Sequence, residues 1–135
     1  MILGIGVDVC EIKRISKVLN KFYDRFEKRC FTETEIAKCS KSFSKSACYA
    51  KRFAAKEATA KALGTGINQG ISWKHIEVTN LSSGKPVVNL YGTAKRRLES
   101  LLPKNTAPNI LVTITDEREY AQAFVIIESY YIKGI

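Results

Sequence analysis

The chain has 135 residues, 45% of them hydrophobic and 26% charged, a balance typical of one soluble domain, residues 1–135, with a substantial core. Its four cysteines contain no CxxC pair and its one histidine stands alone, which argues against a zinc site or a disulfide framework and predicts buried or inert thiols. The net charge of +9 favours anionic partners, among them nucleic acids, phosphorylated small molecules, acidic proteins and lipid surfaces.

The first nine residues, MILGIGVDV, are too short and too quickly followed by charge to be a signal peptide. No apolar run in the sequence approaches the length of a membrane span. We therefore expect a cytoplasmic protein with no membrane partner.

The same residues predict a strand from Ile2 to Val9, because most of them are apolar and many are β-branched. Gly4 and Gly6 within this strand indicate close approach to another backbone. Asp8 lies inside the apolar run, where a carboxylate is costly to bury unless it is hydrogen-bonded, paired or bound to a metal. Asp8 therefore needs a partner.

A helix from Glu11 to about Phe22 follows, with apolar residues at helical spacing on one side and a basic stripe on the other. The basic residues of this stripe are Lys13, Arg14, Lys17 and Lys21. A solvated face explains each lysine as well as a docking role does. Arg14 lies closest to the strand of Asp8, and we expect it to take part in function.

Thr32 and Glu35 form a predicted capping box that opens a short helix through about Cys39. Residues 40–47, SKSFSKSA, are rich in serine and lysine and predict a mobile connection.

The longest predicted helix is KRFAAKEATAKALGTG, from Lys51 to Gly66, with Gly64 as a left-handed C-cap. Alanines at every fourth position predict a narrow face that packs closely against another element. Glu57 lies at the edge of this face, partly desolvated, and needs a cation. A simple Glu57–Lys61 pair at i,i+4 spacing would supply one, with a stabilisation of only about 0.2–0.5 kcal/mol.

The remaining elements are a hairpin, a helix and two closing strands. Their predicted bounds are His75–Asn80 and Val87–Tyr91 around a turn at Gly84, then Thr93–Leu102, Ile110–Thr115 and Ala121–Glu128. The last seven residues are expected to form a loose tail. This order predicts an α+β fold with a mostly antiparallel sheet packed against the long helix.

Four segments carry a resemblance to a known family, namely GIGVDVCEIKR, RFAAKEATAKALGTGI, GKPVVNLYG and VTITDEREYAQAFVIIE. In order and spacing the chain resembles the holo-acyl-carrier-protein synthases, the small 4'-phosphopantetheinyl transferases. The resemblance covers nearly the whole chain. It implies the 4'-phosphopantetheinyl transferase fold and a homotrimer whose active sites lie between subunits.

The resemblance also implies an activity. Such enzymes transfer the 4'-phosphopantetheine group of coenzyme A to a serine of apo acyl carrier protein for fatty acid biosynthesis, releasing adenosine 3',5'-bisphosphate. Asp8 and Glu57 match the family's Mg²⁺ ligands, since hard carboxylate oxygens and substrate phosphates suit this ion. Lys61 matches a lysine that stabilises the diphosphate, so that Asp8, Glu57 and Lys61 form the implied catalytic set.

Further residues match positions that bind the two substrates. The coenzyme A set is Arg52, Lys56, Lys61, Gly64, Thr65, Gly66, Lys85 and Pro86. The Gly-Thr-Gly run offers either free backbone amides or a close approach for phosphate, although a helix cap explains Gly64 equally well. A hairpin turn explains Lys85 and Pro86 nearly as well. The acidic carrier protein would dock on Arg14, Lys13, Lys17 and Lys21.

Leu111 is a departure, because many members of the family have histidine at this position. The general base therefore stays open between a magnesium-bound water and a carboxylate such as Glu57 acting through water. The alternative function is a basic nucleic-acid-binding module without catalysis, although the sequence has no RNP-like run, zinc finger or recognition-helix motif. We expect no nucleic-acid partner.

Overall fold

The computed structural model describes residues 1–133 and contains five strands and five helices in that range. In chain order they are β1 Ile2–Glu11, α1 Ile12–Phe22, α2 Asp24–Cys30, α3 Glu33–Ser40, α4 Lys45–Ala62, a 3-10 turn Trp73–His75, β2 Ile76–Asn80, β3 Pro86–Leu90, α5 Gly92–Leu101, β4 Thr106–Glu117 and β5 Tyr120–Tyr131. None of the helices described is long and apolar enough to cross a membrane.

The strands form two antiparallel sheets, a three-stranded sheet in the order β1-β5-β4 and a two-stranded hairpin of β2 and β3. Alternate residues of the central strand β5 are buried, and they face the core beneath α4; these are Ala121, Ala123, Val125 and Ile127. The predicted α+β class and antiparallel pairing are confirmed, with the sheet divided in two.

At Gly4 and Gly6, β1 packs against α4 without intervening side chains. A Cβ atom added to Gly4 would lie 1.9 Å from the carbonyl oxygen of Ala62, and one added to Gly6 would lie 1.9 Å from that of Ala58. Any side chain larger than hydrogen would therefore push the strand off the helix. This confirms the close approach predicted for both glycines and for the alanine face of the helix.

α4 begins at Lys45, six residues before the predicted start, so that residues 45–47 are helical rather than part of a mobile connection. The reason is tertiary: Cys48 and Tyr49 pack into the core, at 5% and 0% exposure, and extend the helix beyond its alanine-rich part. β5 likewise continues through Tyr131, which corrects the predicted loose tail as far as that residue. Residues 134 and 135 lie outside the described range.

Cys39 and Cys48 form a disulfide between the end of α3 and the first turns of α4. The prediction of four unpaired thiols is therefore wrong for this pair and holds for Cys10 and Cys30, which are free and buried. The reversal of direction between two helices brings the cysteines together, with their Cα atoms 5.4 Å apart. No CxxC spacing could have indicated it.

Candidate active site

Asp8 and Lys61 meet where β1 passes the last turn of α4. The Nζ atom of Lys61 lies 3.2 Å from Oδ1 of Asp8 and donates to the carbonyl oxygen of Val7 at 3.0 Å. The Asp8 side chain is 19% exposed, so its carboxylate needs the partner that the sequence predicted. Within residues 1–133 no ion pair joins Glu57 to Lys61, and the lysine is directed to the strand instead.

Glu57 lies one turn before Lys61 and close to Asp8 in the same chain. Burial raises the pKa of the Glu57 carboxyl, and the charge of Asp8 raises it further, while Lys61 and Arg14 act in the opposite direction. Partial burial therefore opposes ionisation of Glu57, and repulsion between the two carboxylates adds to this effect. Two carboxylates and two cations, Lys61 and Arg14, thus lie close together here, and the partly buried Glu57 is harder to ionise than an exposed glutamate.

The two neighbouring carboxylates are a candidate site for a hard divalent cation. The described residues contain no cluster of three or more histidine, cysteine or acidic side chains that could hold a metal ion by themselves. Asp8 and Glu57 supply carboxylate oxygens, which Mg²⁺ prefers, and this ion is commonly held by one or two carboxylates together with substrate phosphates and water. The donor set therefore suits Mg²⁺ shared with a phosphorylated ligand.

The basic stripe of α1 lies beside this cluster and is open to solvent. All four of its members are exposed: Lys13, Arg14, Lys17 and Lys21. Arg14 and Lys17 line one groove together with Val9, Glu11, Val18 and Tyr120. The surface therefore combines two cations, one carboxylate and apolar groups next to Asp8 and Glu57.

The turn after α4 departs from the predicted cradle of free amides. The N–H of Gly64 donates to the carbonyl of Lys61 at 3.0 Å, and those of Thr65 and Gly66 donate to the carbonyl of Ala60 at 3.3 and 3.1 Å. All three amides are thus used to cap the helix, as the left-handed conformation of Gly64 at φ +81 predicts. The prediction that these amides are free to bind phosphate is therefore wrong. The close approach of a ligand to Gly64 and Gly66, which have no side chains, stays a prediction.

Lys56 contradicts its predicted role in binding coenzyme A. It is 0% exposed, and its ammonium group binds Oε1 of Glu35 at 2.6 Å and the carbonyls of Trp73 and Ile76 at 3.0 and 2.6 Å. Burial lowers the pKa of Lys56, and the charge of Glu35 opposes this effect. The three bonds join α3, α4 and β2 within the core, so that this lysine is unable to reach a ligand in solvent.

Arg52 lies on the opposite side of α4 from the carboxylates. Its Nη2 donates to Oδ1 of Asn80 at 2.7 Å, its Nη1 contacts Sγ of Cys48 at 3.4 Å, and its buried Nε has no partner in the described residues. Arg52 borders a groove of about 620 Å³ that is also lined by Lys51, Asn80 and Pro86. The groove is basic and opens beside the β2–β3 hairpin, where Lys85 is exposed.

The predicted coenzyme A residues therefore divide between two faces of one helix. Lys61 follows Arg52 by nine residues, and at roughly 100° per residue their side chains point in opposite directions. Asp8, Glu57 and Lys61 lie at the β1 edge, whereas Arg52 and Pro86 lie at the hairpin side. One chain alone presents these as two separate surfaces.

Leu111 lies on the outer face of the large sheet, 41% exposed, in a row with Ile126 and Ile5. His75 does not replace the missing histidine in the described structure, because its Nδ1 accepts the N–H of Ser72 and its ring packs on Gly92. The sheet face around Leu111 is apolar.

No sequence pattern indicates two groups that contact predicted site residues. Asn80 binds Arg52 across 28 residues, and the Nε of Arg97 donates to the carbonyl of Leu63, next to Gly64, across 34 residues. Neither separation follows a helical or strand period. The contacts arise from packing of distant elements.

Comparison with known proteins identifies relatives over nearly the whole chain. A family model described as the 4'-phosphopantetheinyl transferase superfamily matches residues 4–125. A holo-[acyl-carrier-protein] synthase of Rhizobium rhizogenes is 53% identical over 134 residues, which cover 99% of this chain and 100% of that protein.

Two crystal structures of holo-[acyl-carrier-protein] synthases are similar to this chain. That from Neisseria meningitidis has a TM-score of 0.82 and 36% identity, covering 95% of this chain and 99% of the other. That from Helicobacter pylori, in complex with coenzyme A, has a TM-score of 0.78 and 29% identity, covering 92% and 99%. Both confirm the predicted fold. The chain thus belongs to the 4'-phosphopantetheinyl transferase superfamily, in the family of the holo-[acyl-carrier-protein] synthases.

Proposed function

We propose that this chain transfers the 4'-phosphopantetheine group of coenzyme A to a serine of apo acyl carrier protein, acting as one transferase domain. The observation that carries the proposal is the cluster of Asp8, Glu57 and Lys61, with carboxylates suited to Mg²⁺ and an ammonium group beside them. The names of the relatives and the coenzyme A complex of the Helicobacter pylori structure support it.

In the proposed reaction, the serine hydroxyl oxygen attacks the phosphorus atom that carries pantetheine. The bond from this phosphorus to the bridging oxygen breaks, and adenosine 3',5'-bisphosphate leaves with the electron pair. Lys61 stabilises the negative charge that develops on the diphosphate. Asp8 and Glu57 would hold Mg²⁺, which supplies further charge neutralisation when bound. The serine proton would pass through a water molecule to a carboxylate such as Glu57.

The nucleotide end of coenzyme A would occupy the groove at Arg52, Asn80 and Pro86, with Lys85 at its rim. Two features support this placement, namely the basic lining and the buried Nε of Arg52, which lacks a partner within residues 1–133. Asn80 and Cys48 hold the two terminal nitrogens of the guanidinium, which fixes its positive charge at the wall of the groove.

The two faces of α4 favour an assembly in which one subunit supplies the carboxylates and its neighbour supplies the groove. The outer face of the large sheet supports contact between copies, because it exposes large apolar side chains. These are Ile5, Val7, Val9, Leu111 and Phe124, each between 40% and 60% exposed. A patch of this kind marks an interaction surface. We propose a homotrimer built through this face, with Leu111 inside the interface.

The carrier protein would dock on the stripe of Lys13, Arg14, Lys17 and Lys21. Charge complementarity between the stripe and an acidic helix of the carrier protein supports this role. The stripe also lies beside Asp8 and Glu57, where the serine of the carrier protein must arrive. We propose that the reaction takes place in the cytoplasm and activates the carrier for fatty acid biosynthesis.

Intact-mass spectrometry of apo acyl carrier protein, incubated with this protein, coenzyme A and Mg²⁺, tests the function. A gain of one phosphopantetheine is expected, and EDTA should abolish it. Asp8→Asn and Glu57→Gln should lose the activity and keep the fold.

The matched controls are Asp24→Asn and Glu33→Gln, which change exposed acidic residues of α2 and α3 and should transfer like the wild type. Wild-type rates in both site variants would overturn the proposal. Salt-dependent RNA binding by a protein that binds no coenzyme A would instead support the nucleic-acid alternative.

A further inference from the structure

The carboxyl end of α4 depends on a side chain from a distant helix. The last carbonyls of an α-helix have no donors within the helix and need partners elsewhere. The turn supplies them for Ala60 and Lys61, through the amides of residues 64–66. The carbonyl of Leu63 is bound by Nε of Arg97 at 2.9 Å, in a partly buried place. Arg97 thus adds a side-chain donor to the cap.

Arg97 is fixed on its own side as well. It lies on α5, whose Ala94 and Leu98 are buried, and its side chain is half-buried. Its Nη2 lies 3.3 Å from the position that a Cβ atom of Gly64 would occupy, so that it packs directly on the turn. A cation at a helix carboxyl end also interacts favourably with the helix dipole. These contacts hold the turn against α5.

We propose that Arg97 is a positioning residue for the transfer reaction, holding the Gly64–Gly66 turn where coenzyme A passes towards Lys61. The proposal rests on the function proposed above. Because all three amides of the turn bind carbonyls of α4, they offer no free donors to the substrate, and the position of the turn matters instead. A Cβ atom at Gly66 would meet nothing within 4 Å, which leaves open space for a ligand on that side.

Three variants test the role. Arg97→Leu removes the hydrogen bond and keeps the apolar bulk, and Arg97→Lys keeps a cationic donor near the carbonyl of Leu63. Arg96→Leu is the matched control, because Arg96 is exposed and its side chain binds Thr93 of its own helix. The control removes the same charge from α5 without touching the turn.

Steady-state kinetics should separate positioning from general destabilisation. We expect Arg97→Leu to raise the KM for coenzyme A about tenfold, the size of one hydrogen bond to a charged group. The kcat and the KM for carrier protein should stay within about twofold of wild type. Arg97→Lys should recover most of the loss, and Arg96→Leu should match wild type. An equal rise of KM in Arg96→Leu, or a fall in kcat that Arg97→Lys does not rescue, would overturn the proposal.

Amide hydrogen exchange of the free protein supplies a readout independent of activity. Arg97→Leu should speed exchange at Gly64, Thr65 and Gly66, while Arg96→Leu should not. Unchanged exchange in Arg97→Leu would overturn the inference even with an active enzyme. A wild-type protein that neither binds coenzyme A nor transfers its arm would overturn the proposed function, and the exchange data would still show whether Arg97 holds the turn.

Discussion

The ammonium group of Lys61 lies 3.2 Å from the carboxylate of Asp8, although the two residues are 53 positions apart in the chain. The same group donates to the main-chain carbonyl of Val7, which fixes the lysine to the strand rather than to Glu57 one turn earlier. The last turn of α4 therefore supplies a cation to β1 at the point where two carboxylates lie close together.

Replacement of this cation should slow the reaction strongly. We expect Lys61→Met to lower kcat by about 10²–10³, the effect of removing one group that stabilises developing charge. Single-turnover transfer, followed by the mass of the carrier protein, measures it. Lys95→Met on α5 is the control, since that lysine is exposed. A rate within twofold of wild type for Lys61→Met would show that the lysine serves only to pair with Asp8.

Substitution of Gly6 should disrupt the packing of β1 on α4. The Cβ atom of Gly6→Ala would lie 1.9 Å from the carbonyl oxygen of Ala58, so that the strand must move. We expect a loss of at least about 1–3 kcal/mol in the free energy of unfolding, the usual cost of overpacking. Urea titration of purified protein measures it.

Gly84→Ala is the comparison, because a Cβ atom there meets nothing within 4 Å and the cost comes from its positive φ of +92. We expect a loss of about 1 kcal/mol for this turn variant. Equal stability of Gly6→Ala and wild type would contradict the contact.

The buried pair of Lys56 and Glu35 should be intolerant of single changes. Lys56→Met leaves the Glu35 carboxylate, 1% exposed, without its cation, and we expect a loss of about 3–5 kcal/mol. The double variant Lys56→Met with Glu35→Gln should regain part of this loss, because the unpaired charge is gone. Lys74→Met, at an exposed lysine, should be near neutral. Denaturant unfolding of both single variants and the double variant gives the coupling energy between Lys56 and Glu35. Additive losses in the free energy of unfolding would contradict the coupling.

Glu57 should make the free energy of unfolding of the metal-free protein depend on pH. Its pKa is raised above 4.5 by burial first and then by Asp8, so that the folded protein holds this proton more tightly than the unfolded chain. The cost of ionising Glu57 in the folded protein is therefore absent at low pH. As pH rises from 4.5 through the folded pKa, this cost grows and lowers the free energy of unfolding.

Glu57→Gln should thus become more stable relative to wild type over this pH window in EDTA. Thermal unfolding of both proteins at a series of pH values measures the difference. Mg²⁺ should stabilise wild type and leave the variant unchanged. A difference that is constant with pH would contradict the shift.

Reduction of the Cys39–Cys48 disulfide should lower stability. The bond closes a loop with a sequence separation of 9, and the chain-entropy model gives about 2–3 kcal/mol for a loop of this length. Unfolding with and without dithiothreitol, beside Cys39→Ser with Cys48→Ser, measures the loss. The double variant should no longer respond to the reductant.

Local chemistry predicted those features whose signal lies within one segment. The glycines of β1, the alanine face of α4, the left-handed Gly64 and the capping box of Thr32 with Glu35 are all found as expected. Asp8 was expected to need a partner because it interrupts an apolar run, and Lys61 is that partner. Such features follow from residue type and spacing.

The missed features depend on partners that no spacing connects. Lys56 is buried because Glu35, 21 residues earlier, meets it in the core, and α4 begins early because Cys48 and Tyr49 find apolar surroundings. The cap by Arg97 spans 34 residues. Tertiary contact overrides local composition at each of these places.

The contact of β1 with α4 at Gly4 and Gly6 sets the distance between the elements that carry Asp8 and Glu57. Main-chain atoms alone define this distance, and their dimensions are the same in every sequence. Substitutions elsewhere in the core can change side-chain volumes without moving the two elements relative to each other. We therefore expect the spacing of Asp8 and Glu57 to tolerate substitutions elsewhere in the core. Positions 4 and 6 are the exception, because only glycine fits there.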